Sequence, residues 1–285
     1  MAEVAVILVP YDSGQRGKRM GAGPERLIEA GLEPALREAG FDVATTSIDL
    51  PDDFFPAEPQ AAFALHRLLA QAVGDASSRG AFPLILSGNC NTAIGTLAGI
   101  RERDIGIMWF DAHGDFNTPE TTSSGFFDGM ALATAMGHCW REMVASIPGF
   151  QPVEGTRVVH LGARDFDIAE NRLLFASKVE VVPAARVREG MTSIFAARQS
   201  HTRDVYLHLD LDVLDSGEGK VNAYSISGGL TGAEIGQAVG EIGSAFRIRA
   251  AAITAYDPAF DSSGGVSRIA VGLARSIVAA AFDGH

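Results

Sequence analysis

Two apolar runs, far apart in the chain, each end in acidic side chains set two residues apart, and this pairing constrains the sequence more than any other feature. Ile105 to Phe110 leads into Asp111, His113 and Asp115 within MWFDAHGDFNTPETTSSGFFDG. The segment YLHLDLDVLD, Tyr206 to Asp215, carries His208, Asp210 and Asp212. Alternate residues of an extended segment point the same way, so each run delivers its carboxylates to one side of a strand end. Like charges that close repel unless something positive lies between them. For either run alone, a hydrogen-bonded carboxylate cluster is the plain alternative; the two together favour a pair of divalent metal ions sharing carboxylate ligands. Such a pair can acidify a water to hydroxide near neutral pH and aim it at an electrophilic carbon, which is the chemistry of hydrolysis.

The rest of the pattern fits a parallel sheet. Apolar runs at Val4–Pro10, Phe41–Ser47, Phe82–Leu86, Ile105–Asp111, Val158–Gly162, Val179–Val182, Val205–Leu211 and Ala250–Thr254 read as strands, with helical stretches at residues 60–78, 130–137 and 266–282. Alternation of strand and helix implies an α/β fold with three layers, helices covering both faces of a mostly parallel sheet of eight strands. No linker or internal repeat divides residues 1–285, so one domain is expected. Residues 51–59, acidic and proline-bearing, read as a surface connection. In open parallel sheets ligands bind beyond the carboxyl ends of the strands, where both acidic clusters fall.

A formal net charge of −12 argues against nucleic acid or an anionic membrane as partner. No segment reads as a signal peptide or a membrane span, and the two cysteines give no disulfide framework, which suits a reducing cytoplasm. A small-molecule substrate completes the expectation.

DAHGDFNTP with the Ser124-Gly125 after it, HLDLDVLD, GGLT at Gly228–Thr231 and the N-terminal VPYDSGQRGKRMGAGPERLIEAGL together resemble the arginase and agmatinase (ureohydrolase) family, in order and over almost the whole chain. The resemblance implies an α/β/α fold, trimers or hexamers, and two manganese ions whose bridging hydroxide attacks a guanidinium carbon. It implies that Asp111 and Asp210 are shared between the ions, that Asp115 serves the first, and that His113 and Asp212 serve the second. It also implies that Asn117 and Ser124 hold a substrate α-carboxylate while Asp167 and Glu170 hold the α-amino group, favouring an amino-acid-like substrate over agmatine; for Asp167 a helix cap is the competing reading. His208 reads either as a partner orienting a metal-bound carboxylate or as a satisfied core histidine.

Three positions depart from the family pattern. Cys90, in SGNC, stands where a histidine ligand is expected. A thiolate there, favoured by the following helix start, keeps a metal site but admits iron, cobalt, nickel or zinc beside manganese, and resembles an arginase-like branch that includes hydroxyarginine hydrolases. Asp128 stands where a proton-relaying histidine is expected. It acts in catalysis with Asp115 if burial lifts its pKa toward neutrality, and otherwise recognises a cation or caps a helix. Ala255 stands where a glutamate would hold the guanidinium, so arginine loses a charge-assisted bond unless Asp257 or Asp128 replaces it. The expected activity is metal-dependent hydrolysis of a C–N bond in a guanidino- or amidino-bearing amino acid. The alternatives are a pseudoenzyme serving as an oligomeric or regulatory protein, and covalent catalysis by Cys90 with His113 as base.

Overall fold

Strand Phe82–Ser87 is buried at every position, and Gly106–Phe110 likewise, as segments covered on both faces must be. The computed structural model describes residues 1–51, 54 and 57–283, so the expected surface connection at 51–59 lies partly outside the described residues. The strands are β1 (Glu3–Val9), β2 (Tyr11–Asp12), β3 (Gln15–Arg16), β4 (Asp42–Ser47), β5 (Phe82–Ser87), β6 (Gly106–Phe110), β7 (Val158–Leu161), β8 (Glu180–Val182), β9 (Asp204–Asp210) and β10 (Arg247–Thr254). All but β2 and β3 form one eight-stranded sheet in the order β4-β1-β5-β10-β9-β6-β7-β8, with each described pairing parallel. The expected α/β class and the eight-stranded parallel sheet are thus present.

Alternation along the strands divides the core into two layers. Met108, Phe110, Leu207 and Leu209 face a layer formed with helices Gly232–Ala245 and Gly265–Asp283, while Ile107, Trp109 and Tyr206 face helices Glu58–Ser78 and Ala93–Gly99. Helix Gly265–Asp283 is long and apolar enough to cross a membrane by length and composition alone, which the reading of the sequence passed over. Its apolar stripe of Ala270, Leu273, Ala274, Ile277 and Val278 is buried in the core, the ordinary fate of an amphipathic covering helix.

Register brings the site together. Thr254 of β10 lies opposite both Ser87 of β5 and Asp210 of β9, and Leu209 lies opposite Phe110 of β6. Four adjacent central strands therefore end at one level, and within three residues beyond those ends lie Cys90, Asp111, Asp212 and Ala255. Gly88 allows the first of these turns: a Cβ there would collide with the Tyr11 carbonyl oxygen and lie 2.7 Å from Gly21 Cα. The glycine-rich N-terminal loop, which holds the small β2–β3 hairpin, is thereby packed directly against the Cys90 segment.

Candidate metal centre and substrate cavity

Beyond these strand ends lies a cavity of about 190 Å³, lined in part by Cys90, His113, Asp115, Asp128, Asp210, Asp212 and Ala255. Asp111, Asp115, Asp210 and Asp212 are all at least nine-tenths buried, at 1, 7, 4 and 2% exposure. Each is held by backbone or a neighbour. Asp111 Oδ1 accepts the His113 amide at 2.8 Å and its Oδ2 accepts Trp109 Nε1 at 3.1 Å. Asp210 Oδ1 accepts the Asp212 amide at 2.8 Å, while its Oδ2 takes the Cys90 thiol at 2.9 Å. Asp212 accepts from Asn222 Nδ2 at 3.2 Å. Asp115 differs: its backbone is left-handed at φ 49°, its carbonyl caps Leu132 and Ala133 N–H, and its Oδ2 is buried with no hydrogen-bond partner.

The electrostatics are those of a site short of positive charge. Burial, reinforced by neighbouring carboxylates, pushes Asp115 and Asp210 well above the usual carboxylate range, and burial also raises Asp111. His113 Nδ1 stands 3.4 Å from both Asp111 Oδ1 and Asp212 Oδ2. Burial alone would lower its pKa, but Asp212 and Asp111 hold it up at about 12. Asp212, which burial would raise, is brought below its ordinary value by His113 and by the bonds from Asn222 and the Ala112 amide. An orphaned carboxylate oxygen and several buried acids with one imidazole between them form a donor set that divalent cations fit.

Cys90 is buried at the start of a short helical turn, and its sulfur also meets Thr254 Oγ1 at 3.1 Å. The expectation that the helix start favours a thiolate is not met by the protein's own groups. Burial first, then Asp210, Asp128, Asp115 and Asp111, push the thiol well above its ordinary pKa. Only a cation among those acids reverses that preference. The same surroundings speak against an activated Cys90 nucleophile, since His113 is engaged by Asp111 and Asp212.

Asp128 makes no side-chain cap to the helix beginning at Ala131, as one reading of the sequence had it. Its Oδ1 accepts the Asn91 amide at 2.7 Å and Asn91 Nδ2 at 3.0 Å, and its Oδ2 accepts Asn89 Nδ2 at 2.9 Å. Asn91 in turn meets buried His66 Nε2 at 2.9 Å. Burial pushes Asp128 up to about 7 against the pull of these donors. Asp128 therefore lines the cavity and at the same time braces the turn that presents Cys90.

The four residues expected at the amino-acid end of a substrate divide. Asn117 and Asp167 stand together at the cavity, Asn117 Nδ2 donating to Asp167 Oδ2 at 3.1 Å, and Asp167 is also the N-cap of helix Ile168–Ala176, in a capping box with Glu170, as the competing reading had it. Glu170 lines it too, but both its oxygens are used, accepting the Phe116 amide at 2.8 Å and the Asp167 amide at 3.0 Å. Ser124 is exposed, bonds the Phe126 amide at 3.2 Å and is not among the cavity-lining residues. Asp257 does not line the cavity either; it accepts the Ala259 amide at 3.0 Å as a cap and offers no replacement for a guanidinium-binding acid. Ala255 does line it, in a left-handed conformation at φ 60° that an alanine adopts only under constraint, its carbonyl taking Asn222 Nδ2 at 2.9 Å.

Several site residues escaped the reading of the sequence. Met20, Phe126, Phe166 and Tyr224 form the apolar part of the wall, with Phe126 and Tyr224 stacked at 6.0 Å. Loop aromatics carry no spacing signal, and nothing in the sequence pairs residue 126 with 224. Arg164 was also missed; its guanidinium donates at 3.0–3.4 Å to the carbonyls of Gly162, Asp212, Val213, Leu214, Ile226 and Ser227. It ties the end of β7 to the turn carrying Asp212. Arg164→Met should lower unfolding free energy by about 2–4 kcal/mol, read as a lower denaturant midpoint, because stranded carbonyls keep their desolvation cost.

Comparison with known proteins places this architecture. The model of the Arginase family matches residues 2–280. Arginase of Bacillus caldovelox is 31% identical, over 97% of this chain and 98% of its own. The crystal structure of arginase from Bacillus subtilis superposes with a TM-score of 0.88 at 30% identity, covering 98% of each chain. Proclavaminate amidino hydrolase from Streptomyces clavuligerus shares the fold, with a TM-score of 0.74 at 18% identity. On a match that runs nearly end to end, and with its acidic strand ends gathered at one cavity, the chain belongs to the arginase family of hydrolases.

Proposed function

We propose that this enzyme cleaves a C–N bond in an amino acid whose side chain ends in an amidine or a guanidine less basic than that of arginine. The observation that carries this reading is the gathering of Asp115, Asp210, Asp212, His113 and Cys90 around one cavity that also holds Asn117 and Asp167 but has Ala255 where an acid would grip a guanidinium. Asp111, His113, Asp115, Asp210, Asp212 and Cys90 would hold two divalent cations. Bound there, the cations supply a water acidified to hydrolytic strength.

The chain's own residues do the rest. Asn117 and Asp167 orient the amino-acid end, a hydrogen-bonded pair offering one amide and one carboxylate to a zwitterion. Phe126 and Tyr224 shed water from the intervening methylenes, which strengthens the polar contacts deeper in the cavity. Asp115 would turn its unpartnered Oδ2 to the cations and leave its other carboxylate oxygen to hold a proton for the departing amine. Asp128, lifted by burial to about 7, meets the condition set for a proton-holding group at the cavity, and it also keeps the Cys90 turn in place through Asn89 and Asn91.

A panel of arginine, hydroxyarginine, agmatine, guanidinobutyrate and formiminoglutamate, assayed after loading with manganese, iron, cobalt, nickel and zinc in turn, tests the reading. Turnover of hydroxyarginine or formiminoglutamate above both arginine and agmatine supports it; arginine as the best substrate, or metal-loaded protein inert toward all five, defeats it. The Cys90 assignment has its own check. Cys90→His should keep the fold and shift the manganese-to-zinc ratio retained from an equimolar mixture toward manganese, since imidazole is harder than thiolate. An unchanged ratio removes Cys90 from the ligand set.

A further inference from the structure

One buried side chain beneath the cavity has no place in the ligand set drawn above. His208 is completely buried on β9, two residues before Asp210 and on the same face of the strand. Its ring lies flat on Trp109, with centroids 3.6 Å apart and planes at 9°, so its orientation is fixed. Its Nδ1 meets the Tyr206 hydroxyl at 2.9 Å from below. Its Nε2 has only a 3.3 Å contact with Thr254 Oγ1, and that hydroxyl sits 3.1 Å from the Cys90 sulfur. Cys90, Asp111 and His208 each offer one ligand atom, and the three atoms lie within 4.8 Å of one another, all buried.

We propose that His208 is itself a metal ligand: its Nε2, the Cys90 sulfur and an Asp111 oxygen form a thiolate, imidazole and carboxylate set for one borderline-soft divalent ion at the floor of the cavity. Metal-ligating imidazoles are held by a hydrogen bond at their other nitrogen, and Tyr206 gives His208 that support. Trp109 serves both neighbours, stacking on the imidazole while its Nε1 holds Asp111 Oδ2. One sulfur, one nitrogen and one oxygen at this spacing suit zinc, cobalt or iron(II) at bonds of about 2.0–2.3 Å better than an all-oxygen ion. A second, independent observation points to a cation here: the buried Asp115 Oδ2 has no partner and Asp115 lines the same cavity. In this arrangement the imidazole that position 90 lacks reaches the ion from the strand beneath.

The inference rests on the metal-dependent reading, and the test separates the two. Full-length protein loaded with zinc is examined by X-ray absorption at the zinc edge, which counts sulfur and imidazole neighbours, and by competition with a chromophoric chelator, which gives affinity. The wild type should show one sulfur and two imidazoles, from Cys90, His208 and His113, shared over two zinc ions. His208→Gln should remove one imidazole and weaken the tighter of the two sites by about 10- to 1000-fold. Tyr206→Phe, which keeps the core filled if His208→Gln does not fold, should retain both imidazoles and weaken that site by about 10- to 100-fold. Zinc bound with sulfur but with a single imidazole in the wild type, or an unchanged imidazole count in His208→Gln, overturns the role of His208 and leaves the metal-dependent hydrolase standing. Wild-type protein that takes up no zinc, manganese or cobalt defeats both.

Discussion

Asp210→Asn should abolish hydrolysis, by about 1000-fold or more, while making the metal-free protein more stable than the wild type. The two effects have one cause. Asp210 is buried beside Asp212 and Asp111, and burial followed by those two like charges raises its pKa well above the ordinary carboxylate value, against the pull of the Cys90 thiol bond. A raised carboxylate pKa contributes stability that is complete below the unfolded-state value and is lost as pH climbs through the folded one. Metal-free wild type should therefore lose stability from mildly acidic pH toward neutrality, and Asp210→Asn should flatten that decline. Asn keeps the acceptor for the Asp212 amide, so the strand end is retained. The neutral substitution should raise the metal-free unfolding free energy at pH 7, because it relieves the repulsion among Asp210, Asp212 and Asp111. Saturating metal reverses the order: at a hundred times Kd it adds about 2.7 kcal/mol to the wild type and far less to the variant. Thermal unfolding with and without metal, across pH, measures all three. A variant no more stable than wild type when stripped of metal would mean that the acidic cluster carries no cost without its cations.

Much of this was legible beforehand, and the boundary between what was and was not has a physical basis. The eight strands and both acidic strand ends came from local signals: apolar runs, period-two alternation and turn residues at the edges. Their place at the carboxyl ends of parallel strands followed from the sheet rule, but the pairing of β6 with β9 that makes Asp111 and Asp210 meet does not follow chain order and was not legible. Residues chosen by position in a motif fared unevenly. Asn117 and Asp167 reach the cavity, but Ser124 is exposed and Glu170 is consumed by two backbone amides. A motif fixes where a backbone goes and not which hydrogen bonds a side chain has already made. Arg164, Phe126, Tyr224 and Asn222 were invisible because their partners are carbonyls and rings supplied by loops, with no spacing to read. His208 was seen, but its two alternatives could be weighed only with Tyr206, Trp109 and Cys90 around it. That Cys90 prefers the thiol when no cation is bound was missed for a related reason: a helix start is a local feature, whereas burial and the acids that oppose a thiolate come from other strands.

Ala255→Glu should raise kcat/KM for arginine by about 10- to 100-fold, because one charge-assisted hydrogen bond to a guanidinium is worth about 1.5–3 kcal/mol and each 1.4 kcal/mol is tenfold. The usual objection is backbone strain, since residue 255 sits at φ 60°. That cost is already carried by alanine, which has the same Cβ, so the longer side chain adds little to it. The position lines the cavity, and Asp257, committed to Ala259, supplies no acid there for a guanidinium. A glutamate there meets opposite demands. It gains by pairing with a fully basic guanidinium, and it adds a negative charge near Asp115 and Asp210, which the bound cations must offset. The gain should therefore appear in metal-loaded protein only, and should be smaller for a hydroxyguanidine or an amidine of lower basicity. The ratio of arginine to hydroxyarginine turnover reads the difference directly, free of changes in active fraction. If that ratio does not rise, the site binds the reacting end of its substrate somewhere other than beside residue 255, and the preference for a less basic group needs a different origin.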